Sequence, residues 1–158
     1  MALGASDCER IGEGFLAQPV NALTSLAFVA AGAWIISRGS RTSAVMGWVV
    51  VASGVGSFLF HGPQPPLARQ AHDGTAIAVA AGAMLLAGAE LRRLGTRRFL
   101  GEHSGALLLF GAALLAYAGG RTGSPLCDPE SPLQLHGAWH ALAAAALTNF
   151  TMRAGPRR

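Results

Sequence analysis

The sequence predicts an all-α integral membrane protein, a single domain over residues 1–158 that is built as a bundle of five transmembrane helices. Apolar residues make up 51% of the chain and charged residues only 13%, about half the ~25% typical of soluble domains. The charged residues are clustered, with long uncharged stretches between the clusters. Most arginines lie on alternate connections between those stretches. Together these observations exclude a disordered chain and a coiled coil.

The uncharged stretches define the spans. A helix that crosses the ~30 Å hydrocarbon core needs about 17 to 25 largely apolar residues. Five windows meet or approach this length, and all contain the small residues that close helix packing in lipid favours. The predicted spans are residues 20–37, 44–60, 74–91, 104–119 and 133–152. The alternative is a soluble bundle of unusually apolar helices, which the charge gaps disfavour.

The arginines predict the orientation in the cell membrane. Nine of the twelve lie between the first and second spans, between the third and fourth, or in the C-terminal tail: Arg38, Arg41, Arg92, Arg93, Arg97, Arg98, Arg153, Arg157 and Arg158. The positive-inside rule therefore places the N-terminus outside and the C-terminus in the cytoplasm. The net charge of +4 then comes mainly from arginines on the cytoplasmic side of the membrane, and no nucleic-acid partner is expected.

Ionisable groups within spans are costly in lipid, so those present suggest a functional site. His61, Asp73, His136 and His140 all fall near the predicted outer face. His136 and His140 have the i, i+4 spacing that places two ligands of one Zn²⁺ on the same helix face. His61 would supply a third nitrogen, and Ser57 lies one turn deeper on its helix. The alternative is that these histidines only make hydrogen bonds between helices. His103 is expected to be solvated on the cytoplasmic side.

The order Ser57, His61, Asp73, His136, His140 resembles the signature of the CREST membrane hydrolase superfamily, which contains alkaline ceramidases and progestin/adipoQ receptors. The sequence Asp7-Cys8-Glu9 and the run LQLHGAWH are similar to motifs of the ceramidase branch. The resemblance implies that His61, His136 and His140 bind zinc and that Ser57 and Asp73 assist catalysis. It implies hydrolysis of a ceramide-like lipid amide to a sphingoid base and a fatty acid, near the outer face of the membrane.

The chain also departs from that family. Members usually have seven spans, so two helices that would wall the substrate cavity are missing. This leaves open a smaller or more open pocket, another lipid amide or ester as substrate, or a homo-oligomer that completes the wall. The ceramidase branch carries a calcium site on its N-terminal segment. Asp7, Glu9, Glu13 and Asn21 could hold Ca²⁺ through oxygen ligands, although Gln18 replaces an expected Glu. The alternative is that this acidic N-terminal segment is solvated and binds no ion.

Cys8 and Cys127 both fall on the predicted outer side, which is oxidising. We therefore predict a disulfide that ties the N-terminal segment to the loop before the last span, and the ceramidase branch has a similar bridge. The alternative is two buried free thiols.

Three functions remain open from the sequence. The first is a zinc-dependent hydrolase of a lipid amide. The second is a non-catalytic receptor or sensor that binds a lipid at the same metal site. The third is a structural membrane protein.

Overall fold

A computed structural model describes residues 3–154, and within that range the secondary structure is helical apart from one isolated bridge between Asp7 and Arg121. The helices are α1 (Pro19–Arg38), α2 (Arg41–His61), α3 (Ala68–Leu94), α4 (Thr96–Glu102), α5 (Ser104–Gly119) and α6 (Leu135–Arg153). The all-α prediction is confirmed. Arg157 and Arg158, two of the predicted cytoplasmic arginines, lie outside the described residues.

Helices α1, α2 and α3 are each long and apolar enough to cross a membrane. Helices α4 and α5 meet at a bend of 72°, and they supply a fourth candidate if the pair forms one span. Helix α6 corresponds to the fifth predicted span but does not reach the same hydropathy, because two histidines, an asparagine and two threonines interrupt its alanines. The protein is therefore a helical chain with three or four candidate membrane spans in the described residues.

Glycines bring α1 and α2 into close contact. A Cβ added to Gly32 would lie 2.5 Å from the carbonyl oxygen of Gly47, and one added to Gly54 would lie 2.8 Å from the backbone nitrogen of Val29. Any larger residue would force the helices apart, as at small-residue interfaces in membranes generally. This close approach brings Ser25 of α1 against Ser57 of α2.

The helices pack in the spatial order α3, α2, α1, α6, α5. Helix α3 packs mainly on α2, so a groove remains between α3 and the pair α5 and α6. We call the end of the bundle near Arg38, Arg41 and Arg153 the arginine end. The opposite end, near His61 and His136, is the histidine end.

The N-terminal segment, residues 3–18, covers the histidine end. The amide of Cys8 donates to Gly120 and that of Gln18 donates to His61. Cys8 and Cys127 form a disulfide with a Cα–Cα distance of 5.4 Å, so the predicted bridge is confirmed. The disulfide and these backbone bonds hold the segment beside the start of α6.

Candidate metal centre

The three histidines that the sequence grouped come together in the structure. His61 is the last residue of α2, and His136 and His140 lie in the first two turns of α6. One ring nitrogen from each lies within 4.8 Å of the others, and none of the three is more than 5% exposed. Within the described residues this is the one cluster of three or more such ligands. A metal ion could therefore bind here.

His61 is oriented by Gln18. The Gln18 amide nitrogen donates to the carbonyls of Gly4 and Glu9 at 3.1 and 2.8 Å, so its carbonyl oxygen faces His61. That oxygen lies 2.7 Å from His61 Nδ1 and can only accept, which makes Nδ1 the protonated nitrogen. His61 Nε2 is buried without a hydrogen-bond partner. A buried, unpaired imidazole lone pair is costly unless something binds it, and a metal ion fits that requirement.

Thr24 orients His140 in the same way as Gln18 orients His61. The Thr24 hydroxyl donates to the carbonyl of Val20 at 2.7 Å or that of Asn21 at 3.1 Å. Its oxygen therefore accepts from His140 Nδ1, 3.1 Å away. The lone pair of His140 then lies on Nε2, as in metal-ligating histidines whose other nitrogen donates to a fixed acceptor.

Asp7 lies beside the third histidine. Its Oδ1 is 3.4 Å from His136 Nδ1, close enough for an ion pair but not a well-aligned hydrogen bond. The same oxygen accepts a 2.6 Å bond from Arg121. Burial raises the pKa of Asp7, while the nearby Arg121 charge acts in the opposite direction. Each histidine thus has an oxygen acceptor near Nδ1, an arrangement typical of carboxylate-, amide- or hydroxyl-supported metal sites.

Ser57 lies against the same centre. Its Oγ is 2.9 Å from Ser25 Oγ and 3.4 Å from His140 Nε2. Because the Ser25 hydroxyl donates to the carbonyl of Asn21, the Ser57 hydroxyl donates to Ser25. Ser57 is only 3% exposed. The predicted association of Ser57 with the histidine cluster is therefore present, with Ser25 as an additional partner.

Asp73 is placed differently from the histidines. Its side chain is 56% exposed, and its Oδ1 lies 2.8 Å from His72 Nδ1. His72 is the one of the two that lines the groove, and its ring centroid is 6.1 Å from that of His61. Successive helical residues are about 100° apart around the axis, so α3 presents His72 to the groove and Asp73 beside it.

The three carboxylates of the predicted calcium site are not assembled into one cluster among the described residues. The Glu9 carboxylate accepts from the amides of Val20 and Asn21 at 2.7 and 2.8 Å. It thereby caps the first turn of α1, where free N–H groups and the helix dipole attract an anion. Asp7 is paired with Arg121, and Glu13 is exposed. Since these carboxylates are used separately, the calcium site is not supported.

An apolar groove of about 560 Å³ opens beside the histidine cluster. Ser57, His72 and His140 line its histidine end. The remaining walls are mainly apolar and come from α3, α5 and α6: Ala76, Val79, Ala80, Ala83, Met84, Ala87, Ala106, Leu107, Phe110, Trp139, Ala143, Ala146 and Leu147. This volume lies within the usual ~300 to 1,000 Å³ range for small-molecule sites.

The sequence did not indicate the partners of the histidines. Thr24 lies 116 residues from His140 along the chain, and Gln18 lies 43 residues from His61. A glutamine directly before a helix that begins with proline is usually interpreted as a loop residue. The one available signal was the position of both residues at the histidine end of the first span, level with the predicted ligands.

Replacing Gln18 tests whether it orients His61. We expect Gln18→Leu to weaken metal binding about 10- to 100-fold, because leucine has a similar size but cannot accept from His61 Nδ1. Titration with Zn²⁺ in a competing chelator measures the affinity. The matched control is Gln64→Leu, since Gln64 also donates to two backbone carbonyls at this end but no bond to the histidines is present. Equal affinities in the two variants would contradict the role given to Gln18.

Comparison of the chain with protein-family models, with curated proteins and with solved structures finds no match.

Proposed function

We propose that this protein is a zinc-dependent hydrolase of a lipid amide bond, similar to ceramidases, that acts within the membrane. The observation that carries the proposal is the continuity of the histidine cluster with an apolar groove, because His140 belongs to both and Ser57, which lines the groove, contacts His140. A polar reaction centre at one end of an apolar channel matches a lipid whose cleavable bond joins a polar head and a long chain.

The topology proposed for this function has five spans (α1, α2, α3, α5 and α6), with α4 in the arginine-bearing connection between the third and fourth. The arginine end then faces the cytoplasm by the positive-inside rule, and the histidine end lies near the outer surface of the cell membrane. The disulfide supports this side assignment, because disulfides persist in oxidising compartments. An amide at the headgroup level of the outer leaflet would lie at the depth of the histidines.

His61, His136 and His140 would hold the zinc ion, and three protein ligands leave one position for water or substrate. When bound, zinc lowers the pKa of a water molecule and polarises a carbonyl group. Ser57 can exchange its bond to Ser25 for one to the substrate carbonyl oxygen, where negative charge develops during attack on an amide. The burial of Ser57 strengthens such a bond by excluding water.

His72 and Asp73 would move the proton. The resemblance implies that Asp73 assists catalysis, and we assign to Asp73 and His72 together the transfer of a proton from the attacking water to the leaving amine. With its carboxylate on His72 Nδ1, Asp73 orients the imidazole that lines the groove. The pair resembles, in its contacts, the carboxylate–imidazole arrangements that perform general acid–base catalysis. Asp73 would then act on the substrate indirectly, by orienting His72.

Replacing Ser57 tests the proposed reaction. We expect Ser57→Ala to bind zinc as the wild type does but to hydrolyse an N-acyl sphingosine about 10²- to 10³-fold more slowly, the usual cost of removing a donor to an oxyanion. Release of the sphingoid base from detergent-solubilised ceramide measures the rate. The matched control is Ser43→Ala, a buried serine near the other end of α2 that does not line the groove, which should retain nearly full turnover.

Two outcomes would contradict the proposal. If wild-type protein with bound zinc never hydrolyses an N-acyl lipid, the receptor function is favoured instead. If Ser43→Ala loses as much activity as Ser57→Ala, the effect comes from helix packing and Ser57 has no specific role.

A further inference from the structure

Two aromatic rings lie at the far end of the groove. Phe99 of α4 and Phe150 of α6 line the groove at the arginine end, with ring centroids 6.4 Å apart. Phe150 lies ten residues beyond His140 on α6, which corresponds to about 15 Å along the helix. The groove therefore runs from a polar end at the histidines to an aromatic end near the arginine end of the bundle.

His103 packs against both rings. It lies at the break between α4 and α5, its ring centroids are 4.9 Å from Phe99 and 4.7 Å from Phe150, and its side chain is fully buried. The expectation that His103 is solvated was wrong. The bend of 72° turns α4 across the arginine end and so buries the histidine under it.

The α4–α5 bend is also connected to α3. His103 Nε2 lies 3.5 Å from Glu90 Oε2, and Arg93 donates to both Glu90 oxygens at 2.6 and 3.1 Å. Glu90 is only 4% exposed. The His103–Glu90 contact links the bend to α3, and the contacts of His103 with Phe99 and Phe150 link it to α4 and α6.

We propose that Phe99 and Phe150 form a floor that limits the length of the acyl chain the groove accepts. This inference rests on the proposed function for the position of the substrate amide, at the histidine end. The occupant is a fatty acyl chain, since the groove has polar groups (Ser53, Ser57, His72 and His140) towards its histidine end and a largely apolar lining elsewhere. A chain whose carbonyl lies at Ser57 runs towards Phe150, and its terminal methyl group meets the two rings.

The experiment uses full-length protein in detergent and two readouts over a graded series of chain lengths. The first is hydrolysis of N-acyl sphingosines. The second is displacement of a fluorescent fatty acid by saturated fatty acids, which requires no turnover. In wild-type protein we expect the rate of hydrolysis and the affinity for the fatty acid each to fall about tenfold or more once the chain exceeds a certain length. Extra methylenes forced against packed rings are strongly unfavourable.

Phe150→Ala and Phe99→Ala should each move that limit to longer chains, because both variants deepen the groove. The matched control is Phe110→Ala, which removes a ring from the side wall on α5 and should lower binding at all lengths without moving the limit. Retained zinc content checks that each variant is folded, and Phe150→Leu provides a milder enlargement.

The outcomes separate the floor from the proposed function. A limit that stays in place in both alanine variants, or a wild type with no length limit, overturns the floor even if ceramide is hydrolysed. A limit that moves in fatty-acid displacement while no N-acyl lipid is hydrolysed supports the floor and overturns the hydrolase.

Discussion

Replacing either histidine of α6 is expected to abolish metal binding. His136→Ala and His140→Ala should each lower the zinc content of purified protein from about one equivalent per chain to near zero, and turnover should disappear with it. Two imidazoles are too few for a catalytic zinc site, which normally has three protein ligands. Elemental analysis after dialysis against a weak chelator measures the metal content directly.

His103→Ala is the control for this experiment. His103 is also a fully buried histidine, but it lies at the arginine end, so its loss should leave zinc at the wild-type level. Metal retained by the α6 variants would contradict the three-histidine site. A wild-type protein that binds no metal under any loading condition would favour histidines that only brace helices.

The choice of zinc over other metals is tested by the same measurement. Imidazole ligands also suit copper, nickel and iron, and affinities generally rise across the first-row series to copper. Competition between Zn²⁺ and Co²⁺ therefore provides a useful comparison, because Co²⁺ also reports its coordination number through its visible absorption spectrum. We expect Zn²⁺ to displace Co²⁺ from the cluster.

The convergence of the histidines could be predicted because it depends on two simple regularities. The i, i+4 spacing places His136 and His140 on one helix face, and the alternating direction of successive long helices places His61 at the same end of the bundle. Both arguments require only the order and length of the helices. The disulfide was predictable in the same way, from the end of the bundle at which each cysteine falls.

The supporting residues could not be predicted, because they depend on how the N-terminal segment folds. Nothing local in Asp7 or Gln18 distinguishes a calcium ligand or a loop residue from a partner of a histidine. The segment acquires these contacts only when it crosses the histidine end and pairs with Arg121 and Gly120.

Helix rotation and helix breaks were similarly hidden. The φ angles of Gln64 and Leu67 are 51° and 72°, and this left-handed backbone sets the rotation with which α3 begins. That rotation presents His72 to the groove rather than Asp73. The bend at His103 was missed because the sequence there contains no proline, the most common cause of a sharp kink.

Removing the disulfide is expected to have the largest effect on stability. Cys8 and Cys127 are 119 residues apart, and a cross-link over a loop of that length lowers the entropy of the unfolded chain by an amount equivalent to about 5 kcal/mol in the chain-entropy model. The double variant Cys8→Ser/Cys127→Ser should therefore unfold at a clearly lower temperature. Helical structure that persists in detergent after unfolding would make this decrease in unfolding temperature smaller.

The same variant should also weaken zinc binding, because Cys8 lies between Asp7 and Glu9. Asp7 lies beside His136, while Glu9 caps α1 and its carbonyl holds Gln18. Loss of the cross-link loosens this segment at the point where it orients the ligands. Thermal unfolding followed by circular dichroism, with and without added Zn²⁺, measures both effects.

Arg10→Ala is the matched control for the disulfide variant. It breaks an ion pair between Arg10 and Glu130 that joins the same segment to the same loop. Both side chains are well exposed, so the pair should contribute less than about 1 kcal/mol. If Cys8→Ser/Cys127→Ser changed the unfolding temperature and zinc affinity no more than Arg10→Ala does, backbone hydrogen bonds alone would hold the segment in place. A larger effect on both quantities would mean that the disulfide supports the fold and the metal centre through the same few residues.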